Sequence, residues 1–218
     1  MADTGSRANA AVTTDDLARF VELLAARLAS EKDYLTELDA AIGDADHGIN
    51  MDRGFAAAVA KLPELRAAGP GALLKGVGMT LISTVGGAAG PLYGTFFLRV
   101  AAVIGNEAEV EPEHLSGAFR AGVNGVAERG KTLPDDKTML DAMLPAVRAI
   151  ERGVANGAWR DGLIHAAHAA AAGRDRVTPL VARKGRASYL GERSAGHQDP
   201  GATSATYLFE ALRDALAG

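Results

Sequence analysis

The chain has 218 residues, 48% of them hydrophobic and 5% aromatic, with no cysteine and a formal net charge of −4. The missing cysteines exclude a disulfide framework, a thiol nucleophile and cysteine-ligated zinc or iron–sulfur sites. The acidic balance speaks against a nucleic-acid surface, and no apolar run reaches the ~18 residues of a membrane span.

The first dozen residues lack the apolar centre of a secretory signal. Residues 1–13 read as a disordered tail on a single domain, 14–218, of a soluble cytoplasmic protein. Alanine is abundant and β-branched runs are few, which favours helix and a core of small side chains. Thr14 with Asp15 and Asp16 marks a helix start, after which Leu17, Phe20, Val21, Leu24 and Leu28 share one face. The periodicity then predicts helices over 31–41, 51–62, 71–85, 91–104, 112–129, 138–154, 159–172 and 202–216, with a short piece over 177–183. Pro91 and Pro112 fall in first turns, where the missing N–H costs nothing. Pro145 lies inside a helical pattern and predicts a kink. The fold class is therefore all-α: eight or so antiparallel helices forming one bundle or barrel. The polar stretch from 184 to 201 is the one long connection, of a length typical of lids and binding loops.

One motif is misleading. Gly125-Val126-Ala127-Glu128-Arg129-Gly130-Lys131-Thr132 matches the phosphate-loop pattern letter for letter. That pattern works only between a strand and the helix it feeds. Here a helical pattern precedes it and a helix-breaking Leu133-Pro134-Asp135-Asp136 follows, so Gly130 reads as a helix end.

Chemistry concentrates in Leu38-Asp39-Ala40-Ala41-Ile42-Gly43-Asp44-Ala45-Asp46-His47-Gly48-Ile49-Asn50. Gly43 can turn the chain after a helix, and Asp44 and Asp46 then point the same way. Three carboxylates so close suit a hard cation such as magnesium, which takes oxygen ligands and keeps positions for water or phosphate. A helix starting near Asn50 would offer free N–H groups to those phosphates. A calcium EF-hand fails on count: Ile49 and Phe55 occupy its glycine and bidentate-glutamate positions. A solvated acidic helix cap remains the plain alternative.

Two further segments carry a similar ambiguity. Gly86-Gly87-Ala88-Ala89-Gly90-Pro91 is explained by capping alone, yet its small residues let a base or phosphate approach the backbone. The 184–201 stretch holds Arg186 and Arg193, whose forks suit phosphates, and an Asp199-Pro200-Gly201 turn into the last helix. Its plain alternative is a mobile surface loop, and His197 by itself indicates nothing.

The blocks LDAAIGDADHGIN (38–50), STVGGAAGPLYGTFF (83–97) and GRASYLGERSAGHQDPGATS (185–204) resemble, in this order, the signatures of the dihydroxyacetone kinase L subunit. The resemblance spans 17 to the C terminus and implies an eight-helix antiparallel barrel with the nucleotide at one rim. It implies that Asp39, Asp44 and Asp46 carry two magnesium ions, and that His47, Gly48, Ile49 and Asn50 contact nucleotide phosphates or sugar. Ala88 and Ala89 line the nucleotide site, Gly130 and Met139 flank the base, and Arg186 with Asp199, Pro200 and Gly201 closes over the nucleotide. Arg186 is the candidate transition-state charge stabiliser. Two departures stand out: Ala45 where the family often has glycine, and Ala89 where serine is frequent.

The resemblance further implies half of a split kinase, since nothing before residue 14 is large enough for a ketone-binding domain. The partner is a K-type subunit that binds a short ketose covalently through a histidine. Phosphate comes from ATP, or from a phosphotransferase-system protein with ADP as a bound coenzyme. A nucleotide-state sensor that binds a transcription regulator is the non-enzymatic alternative; the intact acidic cluster favours the enzyme. The nucleotide domain of a fatty-acid-type kinase should carry a large further C-terminal region, and a metal-dependent phosphohydrolase lacks a general base beside the carboxylates.

Overall fold

The computed structural model describes residues 11–217. Among these the chain forms nine α-helices: α1 (Thr14–Ser30), α2 (Lys32–Ile42), α3 (His47–Leu65), α4 (Pro70–Thr84), α5 (Ala89–Ile104), α6 (Pro112–Gly130), α7 (Met139–Ala155), α8 (Trp159–Val177) and α9 (Pro200–Leu216). Two 3-10 segments, Arg66–Ala68 and Arg186–Ser194, complete the order. Helix α1 packs on α3, and each helix from α3 onward packs on its successor until α9 returns to α1. The ring therefore closes with eight helices, as the resemblance implied. Short α2 is the ninth and lies beside α3 and α9.

Local chemistry explains most boundaries. Thr13 and Asp16 form a reciprocal capping box that starts α1, and Thr138 with Asp141 does the same for α7; each cap is worth ~1 kcal/mol. Pro70, Pro112 and Pro200 occupy first-turn positions of α4, α6 and α9. Residues 1–10 of the expected tail lie outside the described residues. Val12 is buried and exchanges two backbone hydrogen bonds with Val110, so the chain is anchored before α1 begins.

Two expectations need correction. The short helical piece expected at 177–183 does not form. Instead α8 continues five residues past 172, to Val177. Gly173 does not end it, because a Cβ there would come within 2.0 Å of the Asp141 carbonyl of α7, so glycine serves helix approach. The helical turns of this region come later, in Arg186–Ser194, as two pieces broken at Gly191 with φ 55°. Helix α7 runs through Pro145 as one element.

The second correction concerns the core. It is rich in alanine and leucine, but all six phenylalanines are also fully buried in it. Phe20, Phe55, Phe96, Phe97 and Phe119, with Tyr93, form one chain of ring contacts at centroid distances of 5.3–6.2 Å. A small aromatic fraction is thus concentrated where α1, α3, α5 and α6 meet; a fully buried ring contributes ~2–3 kcal/mol. No helix among the described residues is long and apolar enough to cross a membrane.

Candidate functional site

Neighbours in a closed ring of short connections run antiparallel, so alternate helices begin at the same rim. The starts of α3, α5, α7 and α9 all line one cavity of ≈ 480 Å³, together with the ends of α2 and α6. Four helix starts, each the positive end of a helix dipole and only partly capped by side chains, border one space. Such a space favours anions.

The acidic cluster sits on its wall. One oxygen from each of Asp39, Asp44 and Asp46 lies within 4.8 Å of the others. Asp39, at the end of α2, is 7% exposed, while Asp46 is half-buried and Asp44 exposed. Asp39 Oδ2 accepts the amides of Asp46 (2.9 Å) and His47 (3.1 Å), which pins the turn and leaves Oδ1 uncommitted. A Cβ at residue 43 would lie 1.9 Å from that Oδ1, so glycine keeps the carboxylate accessible. Ala45 has φ 61°, the left-handed region. There a side chain costs ~1–2 kcal/mol, which accounts for the glycine common at this position in the resembling family. Arg186 Nη2 lies 2.9 Å from Asp44 Oδ2. The guanidinium stands as the cation of a cluster whose all-oxygen donor set fits magnesium.

The neighbouring side chains are held by partners of their own. His47 Nε2 lies 2.9 Å from Ser204 Oγ on α9, and the buried Tyr93 hydroxyl donates to the same oxygen at 2.8 Å. Ser204 Oγ in turn donates to the Gly201 carbonyl, so the network is satisfied with Nε2–H of His47 donating. Burial holds the His47 imidazole below its ordinary pKa, against the opposing pull of Asp39 and Asp46. Arg53 Nη2 donates to Asn50 Oδ1 at 2.6 Å, which leaves the Asn50 amide nitrogen as the free donor.

On the far wall Asp199 caps α9 by accepting the Ala202 amide at 2.7 Å. Burial pushes its carboxyl up to about 7; the Ala202 amide and Lys137 pull it down, while Asp141 and Asp39 raise it further. Tyr93 is likewise pushed up by burial.

The cavity is lined by Asp39, Asp44, Asp46, His47, Asn50, Ala88, Ala89, Gly130, Met139, Arg186, Asp199, Pro200 and Gly201. These residues come from six separate parts of the sequence. Gly48 and Ile49 do not line it. Gly48 is buried against the Lys32 carbonyl of α2, and the Ile49 side chain is 51% exposed. Their amides belong to the first turn of α3 and lack intrahelical acceptors. Gly125 is buried in the interior of α6, and α6 ends at Gly130 with Lys131 as a left-handed cap (φ 49°, ψ 44°). The phosphate-loop match is therefore a helix end.

Sequence reasoning missed Lys137, Arg53 and the His47–Ser204–Tyr93 link. Lys137 is 1% exposed and borders the cavity. Its only sequence signal is its place one residue before a capping box.

The family model for the DAK2 domain matches residues 41–214. The ADP-binding subunit DhaL of the PEP-dependent dihydroxyacetone kinase of Escherichia coli is 48% identical over 186 residues, 84% of this chain and 88% of that protein. The corresponding subunit of the PTS-dependent kinase of Lactococcus lactis is 39% identical, covering 88% of this chain and 92% of its own. Among solved structures, the dihydroxyacetone kinase of C. freundii in complex with AMP-PNP and Mg2+ superposes with TM-score 0.73 at 25% identity. That match covers 97% of this chain and 36% of the other.

Proposed function

The chain belongs to the DAK2-domain family, among the ADP-binding subunits of dihydroxyacetone kinases, and from that premise we propose that it is the nucleotide-holding half of a split ketose kinase. Its substrate is a short ketose such as dihydroxyacetone, presented by a separate K-type subunit. The observation that carries the reading is the convergence of Asp39, Asp44, Asp46 and four helix N-termini on one cavity large enough for a nucleotide.

In this reading Asp39, Asp44 and Asp46 hold two magnesium ions, which when bound neutralise and orient the polyphosphate. The first turn of α3 donates amide hydrogens to phosphate oxygens, and the Asn50 amide nitrogen adds another donor. His47, locked by Ser204, fixes the phosphate-side wall. Gly130 and Met139 flank the base, and Ala88 and Ala89 let the nucleotide lie against the backbone. Arg186 turns from Asp44 to the transferring phosphoryl group, where charge moves most. The bond from that phosphorus to the ADP oxygen breaks as one forms to the ketose hydroxyl oxygen, whose proton leaves to solvent or a partner base. Geometry and charge neutralisation supply most of the rate. The PEP- and PTS-dependent relatives support a resident ADP that is re-phosphorylated in place, over exchange with free ATP.

Reconstitution tests this. The chain alone, with ATP, magnesium and dihydroxyacetone, should make essentially no dihydroxyacetone phosphate. Adding a K-type subunit with ADP and a phosphorylated phosphotransferase protein should give turnover. Arg186→Ala should then lower turnover more than Mg-ADP affinity, because its contact strengthens in the transition state. Robust phosphorylation of the ketone by the isolated chain contradicts the split-enzyme reading.

A further inference from the structure

Arg186 reaches Asp44 from an exposed stretch whose own apolar anchorage is small. Among the described residues, the one buried apolar cluster apart from the main core is Ile42, Ala182 and Ala187, with Leu190 packed against it. Something other than hydrophobic burial must fix this segment in place.

That fastening comes from two consecutive residues of the α6–α7 turn. The Lys137 ammonium has three N–H donors, and each meets one backbone carbonyl: Thr178 (2.8 Å), Leu180 (2.9 Å) and Ser194 (2.6 Å). The donor set is complete only for the charged amine. Thr178 and Ser194 flank the span carrying Arg186, so one ammonium ties both of its feet together. Beside it, the Asp136 carbonyl accepts the Arg183 amide at 3.0 Å. Ser194 Oγ accepts the Ala182 amide (2.9 Å) and donates to the Gly191 carbonyl, closing the base of the loop.

The backbone of this turn is itself strained. Lys131, Asp135 and Lys137 are non-glycine residues with φ of 49°, 69° and 63°. Such residues persist only where the surroundings over-determine them, and they concentrate at functional sites. Among the described residues Lys137 makes no ion pair with a carboxylate, and no role in surface charge explains a lysine that is 1% exposed.

We propose that Lys137 is a positioning residue for phosphoryl transfer: its buried ammonium holds the 178–194 segment so that Arg186 is presented to the nucleotide phosphates. The proposal rests on the reading of Arg186 as the charge stabiliser. It requires Lys137 to act through Arg186 and not through the nucleotide.

The test combines exchange with a mutant cycle, using the full chain. In nucleotide-free protein, Lys137→Met should speed hydrogen exchange of the 178–196 amides at least ~10-fold, the scale expected on losing hydrogen bonds to a charged donor. Exchange of the α5 amides should stay unchanged. With the K-type subunit, Lys137→Met should lower turnover ~10-fold or more, and Lys137→Met/Arg186→Ala should be little worse than Arg186→Ala alone, since coupled residues are non-additive. Lys137→Gln, which keeps two donors, should fall between parent and methionine variant, and it carries the same cycle if the methionine variant does not fold. Unchanged exchange in 178–196, or losses that multiply in the double variant, overturn the proposal. A parent chain that fails to bind Mg-ADP overturns the functional reading instead, and the exchange comparison then decides on Lys137 alone.

Discussion

The two walls of the cavity are built on different principles. The acidic wall is local: Asp39, Asp44 and Asp46 come from eight consecutive residues, and one glycine turn with two amides on Asp39 arranges them. The covering wall is assembled from distance. Arg186 is positioned by Lys137, 49 residues earlier in the numbering, through carbonyls at 178, 180 and 194. The first wall needs only α2 and the start of α3; the second needs the α6–α7 turn to meet the segment that follows α8. A segment held by polar bonds over little apolar area is the kind that opens readily.

The largest expected effect breaks the local wall. Removing one carboxylate from a three-carboxylate site leaves the cation two ligands and weakens its hold on the polyphosphate. Asp44→Ala should lower ADP affinity in the presence of magnesium ~100-fold, about 2.7 kcal/mol. It should also free Arg186 from its ion-pair partner, so exchange in 184–188 should rise modestly. Calorimetry with ADP and magnesium measures the first effect. Parent-like affinity removes the metal assignment and makes the cluster a solvated helix cap.

A smaller effect sharpens the comparison where the walls meet, at Asp199. Its carboxyl is raised from 3.8 to about 7, first by burial. A carboxyl with a raised native pKa favours the folded state fully below its unfolded pKa. That contribution fades as pH rises from about 4 toward 7, because the folded state must then ionise a disfavoured group. Asp199→Asn keeps an N-cap for α9 but cannot titrate. In metal-free buffer, urea midpoints should therefore show the variant gaining on the parent between pH 5 and pH 8. Parallel pH profiles would assign the shift to solvent-accessible chemistry with no stability consequence. Asp199 lies near both Lys137 and Asp39, so a clear divergence would also show that the walls are electrostatically coupled.

How much of this was legible follows the same division. The helices were readable because periodicity and start signals are local; Thr14 with Asp15 and Asp16 and the proline at 112 placed boundaries within a few residues. The acidic cluster was readable because its ligands share one loop. Helix α8 was ended too early, at 172, because a glycine follows, and only the Asp141 carbonyl of a neighbouring helix explains that glycine inside the helix. Gly48 and Ile49 were grouped with their neighbours by motif, while the helix turn sends one side inward and the other to solvent. Lys137 was invisible for a deeper reason. A lysine in a polar turn reads as solvated, and only carbonyls 41, 43 and 57 residues away in sequence make it a buried bolt. Interactions that cross the ring leave no periodic trace.

The smallest expected effect is none, and it tests whether sequence motif or structural context decides. Lys131 occupies the lysine position of the phosphate-loop pattern, where the side chain would reach the β- and γ-phosphates. In this fold the residue caps α6 in the left-handed conformation, is exposed, and does not line the cavity, although Gly130 and Thr132 on either side do. Its amide bonds to the Glu128 carbonyl, a helix-end pattern that cannot wrap a phosphate. Lys131→Ala should therefore bind Mg-ADP within about twofold of the parent, under ~0.5 kcal/mol. Lys131→Gly should be mildly stabilising, because glycine adopts the left-handed cap without the side-chain cost. Lys137→Met serves as the contrast, six residues away and expected to loosen the covering wall. A ~100-fold loss of affinity in Lys131→Ala would place phosphates at the α6–α7 turn, and the four-helix rim would lose its assignment.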